Sequence, residues 1–116
     1  MSIASDLIRG HTETIILAHL KGGDSYGYRI NKTIQQKTDN RYELKEATLY
    51  SAFKRLEELG CIKAYWGSEN VGARRRYYTI TPYGEQIYDR LITEWDAARL
   101  LIDKLISTEK EGEDEG

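Results

Sequence analysis

The residues of this 116-residue chain whose types and spacing could do chemistry are mainly cations and small polar side chains. Arg74, Arg75 and Arg76 form an unbroken triplet just ahead of Tyr77 and Tyr78. Upstream, Ala47, Thr48, Tyr50 and Ser51 are followed one turn later by Lys54 and Arg55. Small or polar side chains at the front of a helix let its backbone approach base edges in the DNA major groove. Cations a turn later, and others at a hairpin tip, neutralise phosphates. The Tyr50 hydroxyl can also donate to a phosphate. A solvated strand end would account for the arginine triplet alone, and ordinary surface for the helix face alone. Their occurrence on one helix–hairpin unit favours recognition of double-stranded DNA.

Catalysis has little to stand on. His11 and His19 have no cysteine or carboxylate at metal-ligand spacing, so packing or surface roles fit them better than metal binding. Cys61 is the only cysteine, which excludes an internal disulfide, and it sits where a small buried thiol is the usual outcome. There is no glycine-rich phosphate loop and no nucleophile elbow. The expectation is a non-enzyme with no cofactor and no metal. No run of about 18 apolar residues suggests a membrane span, and no basic-then-apolar leader is evident, so a cytoplasmic protein without a membrane partner is expected. The net charge of −2 hides an asymmetry. Residues 1–80 carry 13 Lys/Arg and 9 Asp/Glu, a net of +4, whereas residues 81–116 carry 4 and 10, a net of −6. Such a chain would meet a polyanion with its first part only.

The elements that must position these residues follow from periodicity and punctuation. A helix is expected over 5–21, apolar on several sides at Ile15, Ile16, Leu17, Ala18 and Leu20 and ended by Gly22-Gly23. Asp24 or Ser25 can cap a second helix over about 25–37, with Tyr26, Ile30 and Ile34 on its apolar edge. Thr38-Asp39-Asn40 reads as a turn and Tyr42-Glu43-Leu44 as a very short strand. A third helix, over 46–59, has Leu49, Ala52, Phe53, Leu56 and Leu59 on one face and Ala47, Ser51, Lys54 and Glu58 on the other, with Gly60 as its stop. Residues 62–67 and 75–80 read as two aromatic strands of a hairpin. Thr81 then Pro82 marks a helix start.

The last helix, over 82–106, carries Tyr88, Leu91, Trp95, Ala98, Ile102 and Leu105 at alternating three- and four-residue spacing, the pattern of a coiled-coil seam. At 1.5 Å per residue it spans roughly 37 Å, more than three short helices and a hairpin can cover, which favours a homodimer. Packing of the seam on the chain's own first helix is the alternative. Trp95 stands where a seam usually holds leucine or isoleucine. It either fills core space or, paired across a two-fold axis, holds the helices apart around a slot for a planar aromatic effector. The chain thus divides into a winged helix-turn-helix over 1–81, a long C-terminal dimerisation helix over 82–106, and a disordered acidic tail over 107–116. The expected fold class is mainly α with a small β-hairpin.

The run Glu46-Ala47-Thr48-Leu49-Tyr50-Ser51-Ala52-Phe53-Lys54-Arg55-Leu56-Glu57-Glu58-Leu59-Gly60 resembles the recognition helix of the PadR family of winged-helix transcriptional regulators. Tyr65-Trp66-Gly67 and the stretch from Gly72-Ala73-Arg74 to Thr81-Pro82-Tyr83-Gly84 resemble that family's wing, and Tyr26-Gly27-Tyr28 its second-helix start. The resemblance covers roughly residues 7–105, and the short last helix is similar to the subfamily of multidrug-responsive repressors. It implies a homodimeric repressor whose last helix packs on the partner's N-terminal helix, where Leu7 lies. Trp95 matches a tryptophan that stacks on flat ligands between subunits, with Leu91, Glu13 and Thr14 around the same space. Arg99, one turn on, departs from the pattern and turns the expectation towards neutral or anionic planar ligands. A winged-helix protein-interaction module that has lost DNA binding is the alternative, disfavoured by the retained cations.

Overall fold

A computed structural model describes residues 3–68 and 74–108. The elements are α1 (Ile3–Arg9), α2 (Thr12–Lys21), α3 (Gly27–Lys37), α4 (Glu46–Glu58), β1 (Ile62–Trp66), β2 (Arg76–Ile80) and α5 (Pro82–Ile106). The hairpin loop residues 69–73 and most of the acidic tail, 109–116, lie outside the described residues.

The single helix expected over 5–21 is two. The break falls at Gly10-His11, where glycine is a poor helix former. The His11 N–H donates to the Ile8 carbonyl at 2.8 Å and the Thr12 hydroxyl to the Arg9 carbonyl at 2.7 Å. These bonds satisfy carbonyls left open at the end of α1. Neither Asp24 nor Ser25 caps α3. The N-cap position is Tyr26, without a side-chain cap. Ser25 instead exchanges both backbone bonds with Tyr78, at 2.8 and 3.2 Å, and so adds a rung to the hairpin. The strand expected at Tyr42–Leu44 does not form. Asn31 takes the place of a partner strand: its Nδ2 donates to the Leu44 carbonyl at 2.8 Å and its Oδ1 accepts from the Leu44 N–H at 2.9 Å. The turn before it uses Asp39 and Asn40 at φ 53° and 62°, a left-handed region these short polar residues tolerate.

One core holds these elements together. Ile16, Leu17 and Leu20 of α2, Ile30 and Ile34 of α3, and Leu49, Ala52, Phe53 and Leu56 of α4 are buried with Leu44, Cys61, Ile62 and Tyr78. Phe53 stacks on Tyr78 with centroids 3.9 Å apart, fixing α4 against the hairpin. Leu59, expected on the apolar face of α4, is exposed because the helix ends at Glu58 and Gly60, at φ 81°, turns the chain into β1. β1 and β2 pair antiparallel from Ile62↔Ile80 to Trp66↔Arg76.

Thr81 caps α5 as its sequence suggests, accepting from the Gly84 N–H at 3.0 Å with Pro82 behind it. The same hydroxyl donates to the Gly60 carbonyl at 2.7 Å, tying the start of α5 to the end of α4. Along α5, Ile87, Tyr88 and Leu91 pack against the core, while Trp95 is 42% exposed, Ile102 51% and Leu105 79%. The seam therefore divides: its first part packs on its own chain and its second part is bare in the single chain.

Candidate nucleic-acid interface

α4 presents the side chains its periodicity promised. Ala47, Tyr50, Ser51, Lys54 and Arg55 are exposed and Thr48 is half-buried. Burial of Leu49, Ala52, Phe53 and Leu56 leaves the opposite stripe to solvent, and small residues at its front leave the backbone approachable. Tyr50 is not a free surface residue. Its ring meets Phe53 edge-on at 5.7 Å, and a Cβ on Gly27 would stand 2.9 Å from its hydroxyl oxygen. Gly27 therefore gives the tyrosine its place over the start of α3. Arg55 is also engaged, with its Nε 2.7 Å from Glu13 Oε2.

The wing arginines are held by rings. The Arg74 and Arg76 guanidiniums lie 5.8 and 5.4 Å from the Trp66 ring, and Arg75 lies 4.8 Å from the Tyr26 ring. Arg76 also approaches Glu57 at 3.6 Å, linking the wing to α4. Trp66 and Tyr26 were missed as functional candidates. The interleaving of aromatics and arginines around both was the available signal, but ring–cation contacts between separate elements are tertiary. Tyr65 donates its hydroxyl to Asp24 at 2.6 Å, and that bond, ahead of desolvation, holds its pKa above the ordinary tyrosine range.

The expected effector residues separate into two places. Trp95, Arg99 and Thr14 line a largely apolar cavity of about 660 Å³ between α1–α2 and α5, with Ile8, Ile92 and Ile102. His11, also missed, meets the Trp95 ring edge-on at 4.8 Å. Leu7 and Ile102 line this cavity too, while Tyr88 sits nearer the core beneath Lys21, and Ala98 and Leu105 are exposed. Glu13 and Leu91 face a different cleft, about 580 Å³, shared with Ala47, Thr48, Ser51 and Arg55. Thr14 lines both spaces, whereas Glu13 lines only the cleft beside α4, where its carboxylate pairs with Arg55. Arg99 leans back to Asp96 at 3.4 Å. Among the described residues no three His, Cys, Asp or Glu side chains gather as a metal site. Cys61 is buried, and burial, then the charge of Glu13, pushes its thiol above the ordinary range.

Helices, a two-stranded wing behind an exposed third core helix, and a long terminal helix define a winged helix-turn-helix. The chain belongs to the PadR-like family of transcriptional regulators, whose family model matches residues 16–90. It is similar to a transcriptional regulator from Clostridium thermocellum at 51% identity, covering 91% of this chain and 100% of that one, with a TM-score of 0.82. A PadR family transcription regulator from Clostridium difficile matches at 32% identity over 84% of this chain and 99% of that one, with a TM-score of 0.72. An uncharacterized protein of Lysinibacillus sphaericus is 43% identical over 101 residues, 87% of this chain and 93% of its own length. The family is one of regulators rather than enzymes. Among the described residues no helix is long and apolar enough to cross a membrane.

Proposed function

We propose that the chain is a homodimeric DNA-binding repressor, working in the cytoplasm and released from its operator by a planar aromatic molecule. The observation that carries the DNA half is the exposed stripe of α4, Ala47, Thr48, Tyr50, Ser51 and Lys54, beside the ring-held arginines of the wing. In this reading residues 1–81 bind DNA, with α4 in the major groove and Arg74, Arg75 and Arg76 on the backbone. Arg55 contributes as half of its pair with Glu13. Residues 82–106 join the two subunits, because Trp95, Ala98, Ile102 and Leu105 leave an apolar stripe bare that a second copy would cover. Leu7 would meet the partner in the same contact, being 68% exposed on α1. The net charge of residues 81–116 keeps the far side of the dimer off the DNA.

The effector half rests on the slot beside Trp95, as in the multidrug-responsive type of regulator. A flat aromatic ligand there would gain apolar burial and stacking, about 0.5–1.5 kcal/mol per ring beyond area. With Arg99 and Asp103 both at its rim, selectivity for neutral or anionic ligands depends on Arg99 outweighing the acid. A ligand that favours another separation of the subunits lowers operator affinity by the same factor by which DNA lowers its own.

The test is fluorescence anisotropy on duplexes from the promoter of the protein's own gene, across a salt series. Two recognition helices about 34 Å apart predict a pseudo-palindromic site. Arg74→Ala and Arg76→Ala should weaken specific and scrambled duplexes alike, and each should lower the dimer's salt slope by about 1.8, since both subunits lose a cation. Ser51→Ala and Thr48→Ala should shift sequence preference instead. A dimer that binds no duplex of that promoter more tightly than scrambled DNA would overturn the reading.

A further inference from the structure

The start of α3 and the wing are joined by a ladder of rings and cations that the recognition-helix face does not explain. Tyr65 stacks on Tyr77 with centroids 5.6 Å apart and planes 15° from parallel. Tyr77 meets Tyr26 edge-on at 5.2 Å. The Tyr26 ring then carries two guanidiniums, Arg29 from α3 at 4.7 Å and Arg75 from the wing at 4.8 Å. Arg29 also lies 6.0 Å from the Tyr77 ring. Both arginines are exposed, and Tyr26 is half-buried.

Two like charges drawn to one ring also repel each other, and an anion bound between them would relieve that repulsion. Among the described residues Arg29 forms no ion pair, so the Tyr26 ring is what places its guanidinium. Asp24, two residues before Tyr26, accepts the Tyr65 hydroxyl at 2.6 Å and so ties β1 to the start of α3. A pair of guanidiniums pre-positioned by an aromatic ring is chemically matched to phosphate oxygens, which accept planar N–H donors in a bidentate manner.

We propose that Arg29 and Arg75, held by Tyr26, form a clamp for the DNA phosphodiester backbone at the junction of α3 and the wing. The inference rests on the DNA-binding reading above and adds to it a residue, Arg29, that the recognition helix and the arginine triplet do not supply. Because the two cations belong to different elements, the clamp also fixes the wing relative to α3 when the backbone is gripped. The clamp reads no bases, so its contribution is equal on all sequences.

The experiment measures binding of the full chain to an operator duplex and a scrambled duplex over a salt series. The variants are Arg29→Ala, Arg75→Ala, their double, Tyr26→Phe and Tyr26→Leu. Arg29→Ala should weaken both duplexes several-fold and by the same factor, and lower the dimer's salt slope by about 1.8, since both subunits lose the cation. The double variant should lose less than the product of the two single losses, because one clamp is being removed twice. Tyr26→Phe should bind as the parent does. Tyr26→Leu should weaken binding while nearly keeping the salt slope, since the charges remain but are no longer held. Thermal melting of each variant guards against a folding defect, and a melted variant is replaced by Arg29→Gln. If Arg29→Ala keeps the parent slope while Arg74→Ala and Lys54→Ala lower it, the clamp is wrong and the DNA reading stands. If none of these cations alters the slope, the DNA reading itself fails.

Discussion

Replacing Gly84 by alanine sets two effects of opposite sign against each other. Gly84 lies in the first turn of α5, and on helix propensity alone an alanine there would stabilise by about 1 kcal/mol. The packing says the reverse. A Cβ at Gly84 would overlap the Cys61 carbonyl oxygen and stand 2.8 Å from Ile80 Cγ1 and 2.9 Å from the Cys61 carbonyl carbon. Neither neighbour can swing away, because two of the three atoms are backbone and Cys61 is 1% exposed. Relief requires the first turn of α5 to lift from β1. That would loosen the Thr81 N–H bond to the Cys61 carbonyl, 2.9 Å, and the Thr81 hydroxyl bond to the Gly60 carbonyl, 2.7 Å. At about 1 kcal/mol for each bond and 1–3 kcal/mol for overpacking, the propensity gain is outweighed and the net loss is about 2–4 kcal/mol. For a chain of this size that is a fall in melting temperature of roughly 10 °C. The assay is thermal unfolding by circular dichroism at one fixed protein concentration, since a dimer's midpoint depends on it. Gly10→Ala is the comparison. A Cβ there meets only the Leu7 carbonyl oxygen at an ordinary 3.5 Å, so that variant should be neutral or slightly stabilised. A Gly84→Ala midpoint at or above the parent's would refute the reasoning.

Three further outcomes are expected. Asn31→Ala strips both partners from the buried Leu44 backbone and should destabilise by about 2–4 kcal/mol, read by chemical denaturation. The Cys61 thiol, raised by burial and then by Glu13, should resist iodoacetamide near pH 8 until the chain is unfolded. Its stabilising share is complete below the unfolded thiol range and is lost as pH rises above about 9, so alkaline melts should show falling stability in the parent and a shallower fall in Cys61→Ala. Trp95→Ala should weaken planar anionic dyes measured by the dye's own signal, with Trp66 as the remaining intrinsic reporter. Equal dye affinity in parent and variant would remove the slot from the mechanism.

Much of the architecture was legible because it is local. The Thr81-Pro82 start, the apolar face of α4 and the long seam of α5 each follow from side-chain period and capping within one element. The arginine triplet and the small front of α4 were legible as residue types. What could not be read was where neighbouring elements meet. The α1–α2 break depends on two short-range bonds around a single glycine, too small a signal beside a continuous apolar run. The segment at Tyr42–Leu44 has strand-forming residues but finds a side chain, Asn31, where a strand would need a partner.

The candidate site shows the same division. Composition and periodicity alone determined the class of surface this chain offers: a basic winged unit, an acidic end, and an apolar seam longer than the unit can cover. Which cations stand ready and which are engaged was decided by the tertiary structure. Arg55 is held by Glu13 from another helix, Arg76 approaches Glu57, and Arg29 shares one tyrosine ring with Arg75. Glu13 likewise lines the cleft beside α4 rather than the Trp95 cavity, with its carboxylate held by Arg55. Ion pairs and ring contacts act over a few ångströms in space and are indifferent to separation along the chain. Period-based reading sees only separation along the chain, and so it finds the faces but not what they face.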